Sequence, residues 1–133
     1  MLRKAIEEIG APIARHQIEY HAFLDQSKML GYSREKGIPL VAYAPLAQGR
    51  AASDPVLQGI GLKHGVTAAQ VALAWLLEQD GVAVIPKAQR LESQKSNLDA
   101  LAVPLDDDDG QTIAVLPKNH RFVTPPFAPQ WDT

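Results

Sequence analysis

The apolar positions of this chain follow two periods in turn. Leu2, Ala5, Ile6 and Ile9 recur at helical spacing and predict a short amphipathic helix over residues 2–9, with Gly10 as its stop. No capping residue precedes Leu2, so the chain is expected to open in mid-helix, with something missing upstream. The HQIEY stretch at residues 16–20 alternates as a strand does. Asp25 is a candidate cap for a helix over about 26–36, closed by Gly37. Residues 38–43 (IPLVAY) are apolar after their proline and predict a second strand. Residues 44–53 are small, include Pro45 and Gly49, and read as a loop. Asp54 followed by Pro55 predicts the start of a helix ending near Gly65.

Thr67 and Gln70 have capping-box spacing, and the helix they begin carries Ala68, Val71, Ala72, Trp75 and Leu76 on one face, with Gly81 as terminator. Residues 82–85 (VAVI) are a continuous apolar run, the pattern of a parallel strand covered on both faces. Pro86 ends it, having no N–H to continue a ladder. A polar helix follows over about 91–98. The acids of residues 106–109 precede a last helix carrying Ile113, Val115 and Leu116, where they complement the helix dipole. Residues 117–133 hold four prolines without periodicity and read as a surface loop. Strands alternating with helices imply right-handed βαβ units and a parallel sheet, hence an α/β fold.

Composition narrows the class. The chain has 133 residues, 46% hydrophobic and 21% charged, enough for one domain. A net charge of −2 gives no reason to expect nucleic acid or an anionic membrane as partner. The absence of cysteine excludes disulfides, thiolate metal sites and cysteine nucleophiles, and fits a cytoplasmic location. The N-terminal MLRKAIEEIG lacks the apolar core of a signal peptide, and no run approaches the roughly 20 residues of a membrane span.

Candidate chemistry lies after the third strand. Lys87 and Arg90 put positive charge at the C-terminal edge of a parallel sheet, where such folds hold phosphorylated ligands. Tyr32 and Lys36 form a Y-x-x-x-K pair without a glycine-rich fingerprint before it, and Tyr32 reads as a partly buried helix residue. His16, His21, His64 and His120 lack metal-ligand spacing and a carboxylate at motif distance, so no metal site is expected. His21 follows the first strand and is a candidate pocket wall.

HQIEYHAFLDQ, GIPLVAYAPLAQG and LKHGVTAAQVALAWLLEQDGVAVIPK, in this order and spacing, resemble the aldo-keto reductases. The tail HRFVTPPFAPQWD is most similar to that of bacterial 2,5-diketo-D-gluconate and methylglyoxal reductases. The resemblance implies a (β/α)8 barrel binding NADPH, a fold on the order of 250 residues. The chain would then be its C-terminal half: a partial barrel domain supplying strands six to eight and the tail. The family's catalytic Asp, Tyr, Lys and His sit on earlier strands, so no catalytic residue is inherited here.

What the resemblance assigns to this chain is cofactor binding. Gln17 matches the glutamine at the nicotinamide carboxamide, and Tyr43 the tyrosine stacked on the nicotinamide. Leu46 and Ala47–Gly49 match the segment along the pyrophosphate. Lys87 matches the lysine at the adenosine 2′-phosphate, and Asn97 the asparagine at the adenine. Ala88, Ser93 and Ser96 depart from the usual Ser or Thr, Arg and Glu. Arg90 is available to replace a lost phosphate donor, and the weakened set leaves NADH possible. The expected activity is reduction of a small carbonyl substrate such as diketogluconate or methylglyoxal, by a full enzyme that is a monomer. The isolated half is expected to self-associate. The alternative is an inactive truncated product that binds nucleotide weakly or acts only through a partner.

Overall fold

The computed structural model describes residues 1–128. Strands β1 (His16–Glu19), β2 (Leu40–Tyr43) and β3 (Val82–Val84) form one parallel sheet in that order. His16 pairs with Leu40 and Leu40 with Val82. Side chains alternate between faces. Leu40 and Ala42 are therefore buried on one face, while Val41 and Tyr43 are only half-buried on the other.

The helices are α1 (Ser27–Glu35), α2 (Arg50–Ser53), α3 (Pro55–His64), α4 (Ala68–Leu77), α5 (Leu91–Asp99) and α6 (Asp107–Ala114). Two 3₁₀ turns, Ala47–Gly49 and Ala100–Ala102, join them. The local signals hold where they were strongest. The Asp54 carboxylate accepts the Val56 and Leu57 N–H groups at 3.0 and 3.1 Å. Thr67 and Gln70 complete both arms of a capping box. Gly65 takes the left-handed conformation that closes α3, letting the Val66 N–H reach the Gly61 carbonyl at 2.9 Å.

Other expectations are corrected. The segment of residues 2–9 contains a π-helical turn, Lys4–Glu8, that buries nothing. Residues 44–53 are not a plain loop, since a 3₁₀ turn and α2 occupy most of them and bury Ala47 and Ala51. α4 is buried on every side from Val71 to Leu76 rather than on one face, and it forms the centre of the core. It also ends at Leu77, and Gly81 instead turns the chain into β3. β3 is not covered on both faces: Ala83 is exposed and Ile85 is 47% exposed. An apolar run reports a strand meant for burial, but no helix or strand among the described residues lies over that face of β3 or along its outer edge.

The tail is not a free surface loop over its described part. Leu24 and Asn119 form an antiparallel bridge, and the His120 N–H donates to the Phe23 carbonyl at 3.0 Å. Lys118 Nζ donates to the carbonyls of Ala22 and Ile113 at 2.7 and 2.8 Å and lies 4.6 Å from the centre of the Trp75 ring. Burial pulls its amine down to about 8. The rest of the predicted tail, residues 129–133, lies outside the described residues.

The acids of α6 join it to α3. Asp106 and Asp109 cap the helix reciprocally. Lys63 bridges both carboxylates, and His64 Nε2 lies 2.6 Å from Asp109 Oδ2. The burial of Asp109 acts to raise its pKa, but the hydrogen bonds from Lys63 and His64 prevail and hold it well below the usual range. His64, Asp106 and Asp109 offer ligand atoms within 4.8 Å of one another. The Lys63 ammonium already bridges the two carboxylates. His64 therefore does have a carboxylate partner, supplied from 45 residues away.

Candidate functional site

Parallel strands bring the turns after β1, β2 and β3 to one edge of the sheet. Gln17 pairs with Val41, and Glu19 pairs with Tyr43, so Gln17, Glu19 and Tyr43 share one face of the sheet, open at Gln17 and closed over Glu19 by the tail. Gln17 is exposed there, not enclosed, and Tyr43 is half-buried. Burial raises the Tyr43 hydroxyl, and the neighbouring Glu19 carboxylate raises it further, so the ring stays neutral. A neutral aromatic face open to one side is a stacking surface.

Immediately beyond Tyr43 the backbone is strained. Ala44, Ala47 and Gln48 have φ of 49°, 50° and 53°, and Gly49 has 96°. These three are the only non-glycine residues in the left-handed region among those described. Such outliers cost of order 1–3 kcal/mol each and gather at ligand-binding turns. The half-buried Leu46 stands among them. Alanine carries no preference for this conformation, so no residue type marks it in advance.

Beyond β3 an open cleft of about 470 Å³ is lined by Lys87, Gln89, Arg90 and Ser93. Lys87 and Arg90 are exposed, and no carboxylate lines the cleft. Asn97 follows Ser93 by four residues on α5, which puts it one turn further along the same helix face, half-buried. Two cations with a hydroxyl and an amide fit a phosphate group. In sequence Ser93 stands only as a departure from arginine, and Gln89 carries no motif signal. The six predicted residues thus fall into two sets. Gln17, Tyr43 and Leu46 lie on or beside β1 and β2, while Lys87 and Arg90 line the cleft after β3 and Asn97 lies on α5 one turn beyond Ser93, outside the lining.

Glu19 is a further polar residue of this region that no sequence motif marks. Its side chain is fully buried, with His21 Nε2 at 3.2 Å from Oε1. The Phe23 N–H donates to His21 Nδ1 at 3.2 Å, so Nε2 carries the proton and donates to Glu19. Burial lowers the His21 pKa, against the pull of Glu19. His21 therefore has a carboxylate partner after all, and it packs edge-on against Phe122. The only hint in the sequence was an acid within an otherwise buried strand end.

The family model described as aldo/keto reductase matches residues 2–116. Methylglyoxal reductase DkgB of Escherichia coli O157:H7 is 40% identical over 99% of this chain and 50% of its own length. A crystal structure provisionally described as 2,5-diketo-D-gluconic acid reductase B superposes with a TM-score of 0.87 at 40% identity, over 92% of this chain and 44% of the other. A variant of Gox0644 in complex with NADPH superposes with a TM-score of 0.79 at 31% identity, over 91% of this chain and 48% of the other. The chain spans about half the length of the curated relatives it matches. Its three parallel strands and flanking helices correspond to part of a barrel, as the resemblance implied.

Proposed function

The chain belongs to the aldo/keto reductase family, and on that premise we propose that it supplies the cofactor-holding half of an NADPH-dependent reductase of small aldehydes or ketones. The observation that carries this reading is the cleft of Lys87, Gln89, Arg90 and Ser93 after β3, on the same sheet edge as the strained turn after Tyr43. Lys87 and Arg90 would hold the 2′-phosphate by charge-assisted contacts, with Asn97 at the adenine. The turn around Leu46 would lie along the pyrophosphate. Tyr43 would offer its ring to the nicotinamide, and Gln17 its amide to the carboxamide.

When bound, the nicotinamide supplies hydride to a carbonyl carbon. The residues of this chain orient that ring and keep the Tyr43 hydroxyl protonated. The proton for the product alcohol would come from a general acid outside this chain. Methylglyoxal is the first substrate to try, because a 40% identical relative carries that name.

The test joins this chain to the N-terminal half of the E. coli methylglyoxal reductase and follows NADPH oxidation with methylglyoxal. Turnover that falls when Lys87 is replaced by Ala is expected. A folded, monodisperse barrel without turnover on any small aldehyde would overturn the reading.

A further inference from the structure

Glu19 is not used by the proposed reaction, yet it is the one carboxylate on the three described strands and is fully buried. Four donors converge on it. The Phe122 N–H donates to Oε1 at 2.7 Å, the Val123 N–H to Oε2 at 3.2 Å, and His21 Nε2 to Oε1 at 3.2 Å. Arg121 Nη1 stands 3.5 Å from Oε2. Phe122 and Val123 lie 103 and 104 residues away in the chain. A buried carboxylate is tolerated only when its oxygens are fully supplied with donors, and here the tail supplies three of the four.

The position matters because Glu19 and Tyr43 are register partners on adjacent strands. Residues 121–123 are thereby fastened over the C-terminal end of β1, beside the ring proposed to meet the nicotinamide. Upstream, the Leu24–Asn119 bridge and the Lys118 contacts bring the tail to this point, and the His120 and Phe122 rings stack with centres 6.4 Å apart.

We infer that Glu19 is a positioning residue that fixes residues 121–123 as one wall of the carbonyl-binding end of the site. This rests on the reductase reading above. The chemistry makes the requirement specific. Four donors need two acceptor oxygens, which an ionised carboxylate has and an amide lacks. Glu19→Gln keeps the volume but turns one NH₂ toward a donor, so the clasp opens without a cavity being made.

The experiment measures hydrogen exchange of the Phe122 and Val123 amides in the whole chain. Glu19→Gln should speed both by at least about tenfold while the β1–β2 amides stay protected. Equal rates in variant and wild type would overturn the clasp. If Glu19→Gln does not fold, Arg121→Ala, which removes one donor of four, should still speed both amides several-fold, and unchanged rates would overturn it. In the joined barrel described above, Glu19→Gln should raise KM for methylglyoxal about tenfold and leave NADPH affinity unchanged. Opened amides with an unchanged KM would reduce Glu19 to a structural role. A joined wild type without turnover would instead count against the reductase reading, and amide exchange would still decide the clasp.

Discussion

Gly61 on α3 stands against the carbonyl of Val66: a Cβ built at position 61 would lie 2.6 Å from that oxygen and 3.3 Å from the Ala68 nitrogen. The same Gly61 carbonyl receives the Val66 N–H. The turn from α3 into the buried α4 therefore passes too close to position 61 for any side chain.

Gly61→Ala is expected to destabilise the chain by roughly 1–3 kcal/mol, because backbone rather than a flexible side chain must move. Gly59, on the same helix, has nothing within 4 Å of a built Cβ. Gly59→Ala should instead stabilise by about 0.4–1 kcal/mol through the unfolded chain and helix propensity. Urea unfolding of the pair checks both signs, and equal effects would mean that helix propensity alone governs α3.

The joint between α3 and α6 should fail in acid. The folded-state pKa of Asp109 is depressed by Lys63 and His64, so its contribution is complete above the unfolded value, roughly 3.9. It is lost as pH falls through the lower folded value. Asp109→Asn should flatten the acid limb of the stability curve and lower stability at neutral pH. Lys63 is 48% exposed and can return to water, so the neutral-pH loss should be about 1–3 kcal/mol rather than the 3–5 of a fully buried broken pair. Thermal melts from pH 2 to 7 measure it, and a variant with an unchanged acid limb would place the titration elsewhere.

The adenosine end of the proposed cofactor site is carried by this chain alone and can be tested without the rest of a barrel. 2′,5′-ADP should bind more tightly than 5′-AMP, since the two differ by the 2′-phosphate. One charge-assisted contact is worth roughly 1.5–3 kcal/mol, about ten- to a hundredfold. Lys87→Ala should remove most of that difference by calorimetric titration, and Arg90→Ala part of it. Equal affinities in the wild-type chain would place Lys87 in some other role.

The chain by itself should associate. β1 and β3 each leave an outer edge without a partner strand among the described residues, and Ala83 and Ile85 are exposed on the uncovered face. Unpaired edges invite pairing between copies. Size-exclusion chromatography with light scattering should show species above 14.5 kDa that grow with concentration. Ile85→Lys should shift the distribution towards monomer. A wild-type monomer at all concentrations would contradict this.

What the sequence settled was whatever a few neighbouring residues decide together. Asp54 with Pro55, Thr67 with Gln70, and glycines 37 and 65 mark helix ends because a cap or a left-handed turn is satisfied within three or four positions. The strand–turn–helix around Lys87 was legible for the same reason, and so was the family, since its motifs are local strings. Tertiary structure alone decided the rest. The apolar VAVI run could not reveal that Ala83 and Ile85 lie open, because hydrophobicity records the burial a segment suits, not which layers are present. The left-handed Ala44 and Ala47 carry no propensity signal, and they lie in the turn that joins β2 to α2. Lys63 and His64 with Asp109, and Glu19 with Phe122 and Val123, are separated by 45 or more residues. A buried carboxylate needs donors from wherever the topology delivers them, and that delivery is a property of the folded chain.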